Sequence, residues 1–195
     1  MAILKWLGGI LVILLFLALA LYAYLGGFRT IQIEKDAFGP AEIIFSTHVG
    51  PYPEMGESWR RFQAEWEDAG LDACNSLAVY IDPPGTPPEE LRSILGCRID
   101  ALPETEKAEL REQFPTFTLP RTQAYVAVFP YKNFLSFMFG PMKVYPALQK
   151  RLEEENVTPP VGIETYGVEG EIDEIGFIIP YGVGADVYQP LFEAF

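Results

Sequence analysis

Hydrophobic positions change period several times along the chain, and each change predicts an element. From Trp6 to Phe28 no residue is charged, with Lys5 and Arg29 at the two ends. As a helix this run reaches roughly 34 Å, against a hydrocarbon core of about 30 Å. Trp6 stands at one edge and Tyr22 and Tyr24 near the other, where amphipathic rings prefer the interface. A secretory signal peptide competes with this reading, because Lys5 supplies an n-region and Ala18-Leu19-Ala20 a loose cleavage site. The run outlasts a usual h-region and continues through Leu21, Tyr22 and Leu25, so an uncleaved anchor in the membrane through residues 6–28 is expected.

After Arg29, strand and helix signals alternate, and the order occurs twice. Ala41 to His48 reads as a strand ended by Gly50-Pro51. A helix follows from about Gly56 to Ala69, with Trp59, Phe62, Trp66 and Ala69 on one face and Gly70 placed to stop it. Ser76 to Asp82 sets Leu77, Val79 and Ile81 against Ala78, Tyr80 and Asp82. A proline-rich loop (83–88) and a strand near Ser93 to Ile99 complete β-α-β-β. Pro103 to Phe114 then reads as a short helix rich in Glu and Lys.

In the second half, Thr122 to Phe129 sets Ala124, Val126 and Val128 against Tyr125, Ala127 and Phe129. The next helix carries Tyr145, Leu148 and Leu152 on one stripe, with Pro146 in its first turn or at a kink. Val161 to Gly167 and Ile172 to Ile179 form a hairpin about an acidic turn near Glu169-Gly170. The fold class expected is α+β: an N-terminal transmembrane helix, then a pseudo-two-fold duplication of β-α-β-β with two helices packed on an antiparallel sheet. The divisions are an anchor over 1–28, a juxtamembrane linker over 29–39, the domain over 40–182 and an extension over 183–195.

Charge then narrows the partners. The net charge is −13, and all 27 acids lie at or beyond Glu34, which excludes a nucleic-acid partner, since phosphate binding needs a basic footprint. It also speaks against a basic patch on anionic lipid. Cys74 and Cys97 are too few for a disulfide scaffold and no Cys/His cluster has zinc spacing, so no cofactor or metal is expected. Positive charges flank the apolar run almost equally, leaving the side of the membrane undecided. On an oxidising side the cysteines can pair; otherwise they are small buried residues.

His48-Val49-Gly50-Pro51-Tyr52, the Trp-bearing helix and Val79-Tyr80-Ile81-Asp82-Pro83-Pro84 resemble the first repeat of the gyrase-inhibitor-like (GyrI-like) effector-binding domain. Gly162-Ile163-Glu164-Thr165-Tyr166 and the strand ending Ile179-Pro180 resemble the end of its second repeat. Phe114-Pro115-Thr116-Phe117, Ala127-Val128-Phe129-Pro130-Tyr131 and Val144-Tyr145-Pro146-Ala147-Leu148 are similar to the membrane-anchored domain of testis-expressed reticulophagy receptors. Transcription regulators of the superfamily carry a DNA-binding helix-turn-helix, and the receptors a long disordered tail; here there is a span and an end at Phe195. The domain type is therefore expected to carry over, and the receptors' job is not.

The resemblance singles out Glu164, since members that bind lipophilic cations hold a buried glutamate at the matching position, ringed by aromatics. Strand alternation places it on one face with Tyr166, opposite Ile163 and Thr165. A carboxylate in an apolar pocket is costly alone, and a delocalised cation over aromatic faces satisfies it. The expected walls are Trp59, Trp66, Tyr80, Tyr125, Phe129 and Tyr131. Other members hydrolyse strained electrophiles with a matching glutamate as base and a tyrosine partner, for which Tyr166 or Tyr80 would serve. No spacing selects a reaction, so small-ligand binding leads, with a membrane-tethered adaptor for a protein partner as the alternative. His48 reads as a turn or cap residue.

Overall fold

A computed structural model describes residues 2–168 and 170–195, with side chains from Trp6 onward. Helix α1 (Ala2–Tyr24) presents its apolar side chains outward, and from Trp6 to Tyr24 it is long and apolar enough to cross a membrane. It stops short of the end of the uncharged run for a local reason. Gly26 adopts φ +82°, and the N–H groups of Gly27 and Gly26 turn back to the carbonyls of Tyr22 and Ala23. This double closure needs a residue free to take a left-handed conformation. Leu25 is fully buried against the domain instead of continuing the helix.

Eight strands form one antiparallel sheet: β1 (Glu34–Phe38), β2 (Ala41–Val49), β3 (Asn75–Tyr80), β4 (Arg92–Arg98), β5 (Thr116–Leu119), β6 (Thr122–Pro130), β7 (Gly162–Val168) and β8 (Glu174–Pro180). Their order is β1-β6-β8-β7-β3-β4-β2-β5. Helices α2 (Met55–Asp68) and α4 (Ser136–Glu155) follow β2 and β6, and α3 (Glu104–Gln113) joins the halves. The order is symmetric about the β7–β3 pair: β1 matches β5, β2 matches β6, and β4 matches β8. Each half is thus β-β-α-β-β, and its first strand crosses to the outer edge of the other half. The expected α+β duplication is present, extended by these two edge strands. Residues 34–38, read from the sequence as linker, are one of them.

Side-chain alternation gives the sheet two apolar faces. Ile43, Phe45, Leu77, Val79, Ile94 and Ile163 form one core, closed by Tyr188 and Leu191 from the C-terminal segment with its short α5 (Gln189–Phe192). On the other face α2 and α4 cover Ile44, Ala78, Leu95, Tyr125, Ala127 and Phe177. Gly140, Val144 and Leu148, at a spacing of four, lie buried along α4. Their burial holds the helix through both Pro141 and Pro146, so Pro146 is interior to a helix that begins ten residues before it. Both major helices end alike, at Gly70 (φ +86°) and Asn156 (φ +54°), with Leu71 and Val157 N–H groups bonded to the Trp66 and Leu152 carbonyls.

Between the end of α2 and β3, Cys74 is bonded to Cys97 of β4, with Cα atoms 5.4 Å apart, so the pairing left open by the sequence is present. The hairpin expected about residues 169–170 joins β7 to β8; Glu169 lies outside the described residues. His48 is within β2 and not at a turn, with Nδ1 2.9 Å from the Ser58 hydroxyl on α2.

Candidate functional site

Glu164 lies in β7 directly across from Ala78 of β3, and on its other side from Phe177 of β8. The alternation of β7 sends it, with Tyr166, to the helix-covered face, where it is 4% exposed. The Tyr145 hydroxyl on α4 donates to Oε1 at 2.7 Å, and the Tyr166 hydroxyl donates to Oε2 at 3.0 Å. Tyr80 of β3 bonds Tyr166 hydroxyl to hydroxyl at 3.0 Å. Among the described residues no basic side chain pairs with the carboxylate.

The electrostatics follow from that packing. Burial raises the Glu164 carboxyl above its ordinary range, and the hydrogen bonds from Tyr145, Tyr166 and Tyr80 work against the rise. Burial of their hydroxyl ends, together with the nearby carboxylate, pushes Tyr80 and Tyr145 well above the usual phenol value. The same two causes, with Tyr80 beside it, act on Tyr166. The phenols therefore remain donors at neutral pH, and among the described residues no cation stands beside the carboxyl group.

Aromatic rings surround this group. Trp59 of α2 meets Tyr166 edge-on at 6.2 Å, and Phe137 of α4 meets it from the other side at 5.5 Å. Tyr52, just before α2, stands edge-on to Tyr80 at 5.0 Å, and Phe177 stands likewise to Tyr145 at 5.6 Å. Of the site residues named from the sequence, Trp59, Tyr80 and Tyr166 gather about Glu164. Tyr131 reaches the group through Phe137, 5.1 Å away.

The remaining three make other contacts, a correction to the expected wall. Trp66 is buried in the cluster with Phe62, Leu71 and Cys74. Tyr125 gives its hydroxyl to Glu155, which also holds Lys35. Phe129 is packed under α4, where a side chain at Gly140 would come within 3.4 Å of it. Tyr125 and Phe129 lie on the helix-covered face of β6, as alternation requires, and Trp66 on the buried stripe of α2, but period alone does not say where along the sheet a residue falls. A surface groove of about 620 Å³, lined by Phe45, Glu65, Asp68 and Phe114 among others, contains none of the Glu164 group.

Sequence reasoning read Tyr145 only as a core position and did not single out Phe137 or Tyr52. A signal for Tyr145 was nevertheless present. Tyr80 and Tyr166 are 86 residues apart, and the same interval separates the helix ends Gly70 and Asn156, Trp59 and Tyr145, and Ala78 and Glu164. The internal two-fold axis passes through the Ala78–Glu164 pair, and Tyr145 is the counterpart of Trp59.

Solved structures share this architecture. The EcmrR C-terminal domain superposes with a TM-score of 0.56 at 10% identity, covering 78% of this chain and 98% of that one. SAV2435, solved bound to tetraphenylphosphonium, superposes with a TM-score of 0.50 at 12% identity, covering 78% and 94%. The domain shares the fold of these structures, the GyrI-like fold. The chain is also similar to human testis-expressed protein 264, at 28% identity over 193 residues. That alignment covers 94% of this chain and 58% of the human protein, so the chain spans little more than half the relative's length. No family model matches the chain.

Proposed function

We propose that this chain is a single-pass membrane protein whose GyrI-like domain binds a small lipophilic cation against Glu164. The observation that carries the reading is the carboxyl group itself: it is buried at the domain's two-fold axis, held by phenol donors and ringed by aromatic faces, with no cation beside it among the described residues. A delocalised cation supplies the missing charge while keeping the site apolar. The tetraphenylphosphonium bound by SAV2435 is a cation of this chemistry on the same fold. Helix α1 supplies the anchor.

The test titrates tetraphenylphosphonium into the full chain in lipid nanodiscs and follows tryptophan emission, for which Trp59 is the local reporter. Partitioning into lipid gives a background common to every variant. A saturable component lost in Glu164→Gln supports the reading, and a saturable component unchanged in that variant refutes it.

A second reading, a membrane-tethered adaptor whose domain binds a protein, is favoured by the packing of Glu164. Both carboxylate oxygens already have partners within the chain. Absence of any saturable response in folded protein selects this reading over the first.

A further inference from the structure

The start of α4 exposes an apolar stripe that the domain's own core leaves uncovered. Phe134, Met138 and Met142 follow one another at a spacing of four and are 78%, 54% and 66% exposed, with Leu135 beside them. That spacing places Met138 and Met142 on one face of the helix, and Phe134 and Leu135 lie in the turn that leads into it. A monomeric domain seldom presents such a contiguous apolar face to water without a partner for it.

Two contacts place this stripe beside the end of α1. Phe139 of α4 meets Tyr22 edge-on at 6.2 Å, and Lys143 donates to the Gly27 carbonyl at 2.8 Å. The buried Leu25 and the close approach of Gly26 to Phe129 join the same two regions. The stripe is thus one helix face away from the residues where α1 leaves its apolar run, among Tyr22, Tyr24 and Phe28.

The charges agree. Although the chain carries −13 overall, it has no Asp or Glu between Glu112 and Glu153, while Arg121, Lys132, Lys143, Lys150 and Arg151 fall in that interval. The acidic side chains that keep the rest of the domain in water are absent from the segment that bears the stripe. Apolar side chains flanked by lysines, with acids removed, are the composition of a helix that lies in the headgroup layer.

We infer that the first turns of α4 rest in the interfacial layer of the bilayer that α1 spans, through Phe134, Leu135, Met138 and Met142. The inference rests on the span proposed for α1 and is independent of what Glu164 binds. It gives the domain one orientation on the membrane: the start of α4 faces lipid, and α3, at the junction of the halves, is in water.

The test uses the full chain in vesicles of phosphatidylcholine with phosphatidylserine. Spin labels are placed singly by Met138→Cys, Met142→Cys, Leu14→Cys and Glu109→Cys, the native cysteines being paired. Collision with oxygen, which concentrates in lipid, is compared with collision with a water-soluble nickel chelate. The expected ratio at 138 and 142 is several-fold above that at 109 on α3 and approaches that at 14. Ratios at both 138 and 142 equal to that at 109, with 14 in lipid, overturn the inference and leave the span standing. A ratio at 14 equal to that at 109 removes the span, and the inference with it. Agreement between the two α4 positions guards against local disturbance by one label.

Discussion

Glu164 and Ala78 face each other across the central β7–β3 pair, at the one place where the internal two-fold axis maps each residue onto the other. Directly opposed side chains in an antiparallel pair lie about 5 Å apart. Two large groups would crowd there, and two carboxylates would repel. The duplication is therefore broken at its axis, with a carboxylate on one side and a methyl group on the other. Ala78→Leu is expected to cost about 1–3 kcal/mol by overpacking, read as a lower thermal midpoint.

The raised Glu164 carboxyl sets a pH dependence with a definite sign. Its folded form holds the proton more tightly than the unfolded chain does. The stabilising contribution is complete below the ordinary carboxyl value and is lost as pH rises through the raised one. Relative to the wild type, Glu164→Gln should become more stable as pH rises above about 4.5. The difference should grow by about 1.4 kcal/mol per pH unit across that window. Denaturant melts of both proteins at matched pH check this, and a difference that stays flat with pH refutes it. Tetraphenylphosphonium binding should run the other way, tightening as Glu164 ionises.

At a pH where Glu164 is ionised, Tyr145→Phe and Tyr166→Phe each remove a donor to a buried charge. Each should cost about 1.5–3 kcal/mol, the range for hydrogen bonds to charged groups. In the Glu164→Gln background the acceptor is neutral and the cost of Tyr145→Phe should fall by about 1 kcal/mol, a coupling that a double-mutant cycle measures. Additivity within error would mean that the hydroxyl does not serve the carboxylate.

Gly70→Ala isolates backbone strain. Gly70 has φ +86° and open space where a Cβ would stand, so no steric contact confounds the result. The left-handed conformation alone should cost about 1–2 kcal/mol. An unchanged denaturation midpoint would show that α2 ends in another way.

The Cys74–Cys97 bond closes 23 residues. On a chain-entropy argument its removal should cost about 3 kcal/mol, seen as a lower melting temperature after reduction. Alkylation of protein taken directly from cells, with and without prior reduction, is expected to label both thiols only after reduction. Such labelling places the domain in an oxidising compartment.

Much of the architecture was legible because it depends on local period. The alternation in 76–82 and 122–129 assigned the two sheet faces correctly. Gly70 marked the end of α2, and the uncharged run marked α1. The same period put Glu164 and Tyr166 on one face. Edge strands β1 and β5 were not read, because each is short and pairs with a strand of the opposite half. The early start of α4 was hidden by two prolines, whose local cost is outweighed only by burial on the sheet.

The chain's own order of residues thus determined which side chains share a face, that α2 ends before Gly70 and that Glu164 and Tyr166 lie on one side of β7. Which aromatics surround that carboxylate was decided in three dimensions. Tyr125 and Phe129 satisfy the same alternation as Tyr80, and Trp66 the same helical stripe as Phe62, yet the packing of strands and helices carries them to other contacts. Tyr145 reaches Glu164 only because α4 packs over β6 and β8, beside β7. Period is a property of neighbours along the chain, whereas a site is assembled by pairings between strands and helices distant in it.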